Sequence, residues 1–348
     1  MAECLMFGID MEARCMDAVV ADEETVAFLI GTQTIKTENQ VNKLYVGNEG
    51  ARILSRSFRH PAGEVRALAS SPSNPTVLAT CAADFTGVEP KYGLYVWNMD
   101  DDKRTLGQIG NEDFDQYLHG LVWDSTTNRT AVVGTSIVRI FDMTPGPQAL
   151  QTVPVDGEVF EATWSPHNSG NLLGVSVGKD VVCIDTRSAK DDLKVASAHS
   201  HRTLSIDFNP NLQHMLASAG DDGFVRIWDM REPSQPFFSF HPHAHWIWQI
   251  RYHPVHDQLL LSVGSDACVV LSCAQTVSSE VDDLTPDEDE FSERLEDGEL
   301  ERIDEHEESV YACAWSVADP WTFASLSFDG RVIFSKVSRK HKYALMQL

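Results

Sequence analysis

With 13 His and 52 Asp plus Glu in 348 residues, the chain has ample material for acid–base or metal chemistry, so the spacing of these groups comes first. The densest tract is His241-Pro-His-Ala-His245, with imidazoles at i, i+2 and i+4. A zinc loop would need a fourth ligand, usually a thiolate or carboxylate, and none is clearly placed to complete the set. The tract is expected instead to position the strand that follows it. Other candidates recur more regularly. His60, His199 and His306 precede strand-like segments, and Asp222, Asp266 and Asp329 sit in turns further on. The sequence has no His-Glu-x-x-His, no nucleophile elbow and no phosphate-cradling glycine loop before a helix. With no convergent acid, base and nucleophile, the expectation is a non-catalytic protein with no cofactor and no metal.

A repeat must position these residues. Leu216-Ala-Ser-Ala-Gly-Asp-Asp-Gly-Phe-Val-Arg-Ile-Trp-Asp229 reads as two short strands around a tight turn, the second ending in Trp-Asp. Gly and Asp tolerate the backbone angles of such a turn. Upstream lie His199 and the strand-like Thr203-Leu-Ser-Ile-Asp-Phe208. This is the layout of one WD-repeat blade. Aligned on Trp228, the register gives Trp97, Phe141, Ile184, Trp228, Ser272 and Ser335, at intervals of 44, 43, 44, 44 and 63 residues. A second series, Trp123, Trp164, Phe208, Tyr252 and Trp315, marks the ends of inner strands at the same period. A period of about 40–45 residues is that of four-stranded propeller blades. In such blades the His and Asp share a structural hydrogen-bond network, so His60, His199, His306, Asp222, Asp266, Asp329, Trp97 and Trp228 are assigned to it.

The fold expected is therefore all-β: a seven-bladed WD-repeat β-propeller over residues 1–348 as a single domain, with an acidic, partly disordered insertion before the last blade. Blade one is expected over 3–58, with its first strand near Leu5–Asp10, and the pattern leaves open whether the N-terminal strand completes the last blade instead. Blade two runs from His60 to about Ile109, blade three over Gln116–Val153, and blade four over Glu158–Ala198. Blade five is Thr203–Phe240, blade six begins at Trp246, and blade seven begins at Ser309 with its outer strand at Tyr343–Gln347. The long fifth interval, between Ser272 and Ser335, places the insertion at 279–305, between blades six and seven. From Glu280 to Glu308 there are 16 acidic residues against Arg294 and Arg302. Within it Thr285-Pro-Asp-Glu288 has the form of a capping box, predicting a short helix from about Pro286 to Asp297 that presents Phe291 and Leu295 on one face.

Composition narrows the function. A net charge of −25 weighs against nucleic acid, which needs a basic face, and against anionic membranes. No signal peptide is apparent, and no apolar run is long enough to span a bilayer. Seven scattered cysteines without a Cys-x-x-Cys point to free thiols in a reducing cytosol. In the sixth inner strand, Trp248, Ile250 and Tyr252 take the core parity, while Gln249 and Arg251 face the central channel. Trp246 falls just before that strand, on the loop-bearing face. The expected partner contacts are Arg202, Trp246 and Arg251 on the propeller and Phe291 and Leu295 on the insertion.

His245-Trp-Ile-Trp-Gln-Ile-Arg-Tyr252, Ser309-Val-Tyr-Ala-Cys-Ala-Trp-Ser316 and Ala318-Asp-Pro-Trp-Thr-Phe-Ala-Ser-Leu-Ser-Phe-Asp-Gly-Arg331 strongly resemble the EARP and GARP complex-interacting protein family. The resemblance covers essentially the whole chain and is densest after His199. It implies a cytoplasmic adaptor, monomeric within larger assemblies, that binds the EARP and GARP vesicle-tethering complexes. It further implies peripheral association with recycling endosomes and the trans-Golgi network, and support of recycling, retrograde transport and dense-core vesicle maturation. A second possibility comes from Ile227-Trp-Asp-Met-Arg231, which fits the Trp-Asp-x-Arg box of Cullin-4 ubiquitin ligase substrate receptors, with Ile184-Asp-Thr-Arg187 a weaker copy.

Overall fold

The computed structural model describes residues 4–35, 38–47, 52–188, 190–279 and 295–346. These form seven four-stranded antiparallel sheets, each one blade of a closed ring. The inner strands are Ala13–Ala18, Glu64–Ser70, Leu118–Trp123, Val159–Trp164, Thr203–Phe208, Ile247–Tyr252 and Val310–Trp315. Each packs against the next, and the last against the first, around a central channel. The strands just outside them, such as Met215–Gly220 and Leu259–Gly264, are buried along their full length. Blades cover both of their faces, which is why they read as unbroken runs of small and apolar residues rather than alternating ones.

Ring closure corrects the expected first and last blades. Leu5–Gly8 is not the first strand of blade one; it pairs antiparallel with Arg331–Lys336, Leu5 opposite Phe334 and Gly8 opposite Arg331. The inner strand of blade one is Ala13–Ala18. Tyr343, expected in the outer strand of blade seven, lies instead in the helix Arg339–Met346, whose Leu345 is buried against blades six and seven. Leu5–Gly8 thereby covers the outer edge of Arg331–Lys336 and gives blade seven its fourth strand.

The acidic insertion is also relocated. Gly298–Ile303 pairs with Val269–Cys273 as the outer strand of blade six, so the insertion interrupts that blade between its third and fourth strands. It does not separate blades six and seven. Most of the helix expected over 286–297, with Phe291, lies outside the described residues. Leu295 precedes the outer strand in non-helical backbone and packs half-buried against the core of blades six and seven.

Each inner strand carries a bulge near its start, between Ala13 and Cys15, Val65 and Ala67, Leu118 and Gly120, Val159 and Ala162, Thr203 and Ser205, Ile247 and Gln249, and Val310 and Ala312. A bulge shifts side-chain parity, so strict alternation fails there. Trp248, expected in the core, is half-buried and lines the channel, while Ile247, Ile250 and Tyr252 are buried.

The channel side of each inner strand would expose unpaired backbone groups, and side chains of the preceding blade cover them. The Asp17 carboxylate accepts the Ser70 N–H at 2.8 Å, Glu161 that of Ile206 at 2.9 Å, and Ser205 and Asp207 those of Ile250 and Tyr252 at 3.1 and 2.8 Å. Gln249 accepts the Cys313 N–H at 2.7 Å. In the opposite direction, the Trp164 and Trp315 indoles donate to the carbonyls of Val122 and Arg251. These bonds stitch blade to blade where no ladder can.

Candidate functional site

Three groups of polar side chains need an account: the turn networks, the channel interior and the channel mouth. Blade five holds the complete network. His199 Nδ1 lies 2.8 Å from Asp222, its Nε2 lies 2.9 Å from Ser218 Oγ, and the Trp228 indole donates to the same hydroxyl at 2.9 Å. Gly220 permits this arrangement, because a Cβ there would sit 2.5 Å from the His199 ring. Burial works against the Asp222 charge, but hydrogen bonds from His199 and Arg226 hold its carboxyl below the usual range. In blade two His60 reaches Thr80 at 3.0 Å and Trp97 donates to Thr80 at 2.8 Å, with the Gly63 carbonyl taking the place of an aspartate.

Blade six corrects the histidine tract. His243 Nδ1 lies 2.8 Å from Asp266 and its Nε2 3.0 Å from Ser262, so both nitrogens are committed to the blade network. His241 packs on Phe224, and His245 on Trp246. In blade seven the expected pairing fails. His306 Nε2 meets Ser325 at 2.8 Å, but Nδ1 has no hydrogen bond, and Asp329 accepts from Ser327 and the Arg331 N–H instead.

Inside the channel Arg251 donates to Glu161 at 2.6 Å, with its side chain 28% exposed. Burial opposes its charge, and the carboxylates of Glu161 and Asp207 more than offset that. Burial pushes Asp17 and Asp207 up to about 6, and the Cys15 and Cys313 thiols up to about 12. The thiols are therefore inert near neutrality. Asp17, Glu161 and Asp207 each accept a backbone N–H of the next blade. Arg251, expected to meet a partner, is thus held inside the molecule, where its work is closing a charge cluster.

The mouth of this 580 Å³ cavity is built from the bulged residues of the inner strands, at the end where the histidine loops lie. Arg14, Arg66, His119, Phe160, Leu204, Trp248 and Tyr311 come one from each blade, and all line the cavity. Trp248 stacks on Tyr311 with ring centroids 4.8 Å apart. Arg14 lies over Tyr311 at 4.6 Å and over Phe328 at 4.9 Å, and Arg66 lies over Tyr117 at 4.6 Å. Arg202 and Trp246, both expected as partner contacts, meet each other beside this mouth without lining the cavity. The guanidinium lies 4.7 Å over the indole and is anchored by Asp221 at 3.0 Å, and Trp246 in turn abuts Trp248 at 5.6 Å. Trp246 is half-buried rather than freely exposed.

Arg14, Arg66, Trp248 and Tyr311 were missed as surface residues. A signal existed: each stands four positions before its inner strand ends, the same register in every repeat. Elsewhere, Arg231 and Arg187 of the two Trp-Asp-x-Arg-like boxes each clamp their own aspartate, Asp229 and Asp185, with two guanidinium contacts at 3.1 Å or less.

Comparison with known proteins agrees with this architecture. The EIPR1 beta-propeller family matches residues 1–272, and a WD domain, G-beta repeat, matches residues 298–334. The chain is 54% identical to EARP-interacting protein 1 of Caenorhabditis elegans across 100% of both chains. It is 31% identical to EARP and GARP complex-interacting protein 1 of Rattus norvegicus across 98% of each, and 28% identical to WD repeat-containing protein DWA2 of Arabidopsis thaliana across 95% of each.

Proposed function

Because the chain belongs to the EIPR1 beta-propeller family, we propose that it is a non-catalytic adaptor that binds the EARP and GARP vesicle-tethering complexes. The observation that carries this is the 54% identity over full length to a protein named for its interaction with EARP. The geometry supports it. Channel carboxylates are committed to backbone amides, and the channel thiols are kept protonated, so the polar groups serve the ring rather than a reaction. The aromatic and arginine-rich mouth has the composition that protein interfaces favour. Through its partners the adaptor acts at recycling endosomes and the trans-Golgi network, supporting recycling, retrograde transport and dense-core vesicle maturation. As an acidic chain it reaches those membranes through protein contacts rather than by its own charge.

The test is affinity purification of the tagged full chain followed by mass spectrometry. Co-purification of the tether subunits in stoichiometric amounts is the expected result. Recovery of a Cullin-4 ligase's propeller adaptor in their place would instead favour the substrate-receptor role of Trp228-Asp229-Met230-Arg231. Arg202 and Trp246 are the proposed contacts. Trp246→Ala should fold normally and lower complex affinity by about 2 kcal/mol, the scale of an interface aromatic anchor.

A further inference from the structure

The mouth of the channel differs in charge character from the rest of the molecule. Arg14 is exposed at this mouth in a chain of net charge −25, yet among the described residues it makes no ion pair. Its guanidinium is held flat by Tyr311 and Phe328, which leaves the donor edge of the fork unused. A second guanidinium, Arg66, is close enough for Arg14 to lower its pKa, although burial is the larger cause. The carboxylate nearest Arg66 is Glu64 at 3.0 Å, whose side chain is only 7% exposed and is spent on that pair. Two repelling cations are thus held together beside stacked aromatic rings, with one paired and the other waiting.

We propose that this mouth binds an acidic peptide segment of a protein partner, a carboxylate meeting Arg14 and an adjacent aromatic or aliphatic side chain lying on Trp248 and Tyr311. Charge complementarity selects this occupant. A basic segment would be repelled by Arg14 and Arg66 and drawn to the acidic remainder of the surface. A membrane or nucleic acid presents an extended polyanion, which that remainder repels. One short segment carries few carboxylates and fits a cavity of 580 Å³. Arginine pre-stacked on aromatic rings loses little freedom on pairing, so the contact is preorganised. The inference deepens the adaptor reading and rests on it only for the partner's identity.

Two arms separate the mouth from the partner. In the first, the full chain is titrated with a capped hexapeptide of alternating Glu and Phe, following the fluorescence of its own tryptophans, with a Lys and Phe peptide as control. The acidic peptide should bind in a salt-sensitive way. Arg14→Glu should weaken it roughly tenfold or more, and Arg14→Lys less, with the thermal midpoint unchanged because Arg14 is exposed. No binding of the acidic peptide, equal binding of both peptides, or indifference to Arg14→Glu overturns the proposal. In the second arm the same proteins are titrated with purified EARP complex. Binding by the wild type that survives Arg14→Glu also overturns it. Failure of the wild type to bind EARP removes the adaptor reading instead, and the peptide arm still decides the mouth.

Discussion

Arg251 of the sixth blade and Glu161 of the fourth are ninety residues and two blades apart in sequence, yet their side chains meet at 2.6 Å inside the channel. Asp207, on the blade between them, adds a second carboxylate to the field of the same arginine. A pair tied to backbone amides on both sides couples three inner strands that share no ladder.

Arg251→Met should therefore cost stability more than any surface arginine. We expect about 2–3 kcal/mol, below the ~3–5 of a dry pair because channel water reaches both side chains. Adding Glu161→Gln should recover part of this, since the second change removes a carboxylate left unpaired. Urea denaturation of both singles and the double variant measures the coupling. A loss under about 0.5 kcal/mol for Arg251→Met would be a surface-like value and would refute the cluster's role.

The turn networks should not be equal. Asp222 accepts from His199, Arg226 and the Ser200 N–H, whereas Asp329 is not hydrogen-bonded to His306. Asp222→Ala should cost about 1–3 kcal/mol, and Asp329→Ala less. Equal shifts in thermal midpoint would mean that the histidine contact contributes nothing.

Acidification should destabilise the ring. Burial holds His60, His253 and His306 near 4, against an ordinary value of about 6.5. Below 6.5 the unfolded chain takes up protons that the native chain refuses, so this stability is present above 6.5 and lost as pH falls toward 4. Asp17 and Asp207 run the other way, because their native values of about 6 favour the fold as pH falls through that range. Three histidines against two carboxylates leave a net loss between pH 6.5 and 4.5. A thermal midpoint that is flat or rising over that interval contradicts the assignment.

Two deletions should behave in opposite ways. Removing residues 1–9 strips the outer strand from blade seven and exposes the edge of Arg331–Lys336. It should lower the thermal midpoint and promote association through that edge. Removing 280–294 touches no described strand and should leave the midpoint nearly unchanged. A cut extended to 305 would take out Gly298–Ile303 and damage blade six, so it could not report on partner binding alone. Circular dichroism melts with light scattering distinguish these outcomes.

What could be read from the chain alone was the module and its count. Trp97, Phe141, Ile184 and Trp228 keep a period because each fills an equivalent gap between sheets. The turn pairs His199 with Asp222 and the insertion's charge were legible for the same local reason. His243 was not, because two further histidines beside it imitate a metal tract, and only the distances to Asp266 and Ser262 resolve the role. Trp248 was placed on the wrong face because period-two alternation cannot see a bulge.

Sequence by itself determined seven repeating units, an acidic surface and an interruption near the sixth unit, since each follows from residue type at fixed spacing. Tertiary structure alone decided that Leu5–Gly8 closes the last blade, that the interruption falls inside blade six, and that Arg14 meets Tyr311. These are contacts between residues tens to hundreds of positions apart. A repeat pattern carries no information about which unit's edge meets which, and that is settled only when the circle shuts.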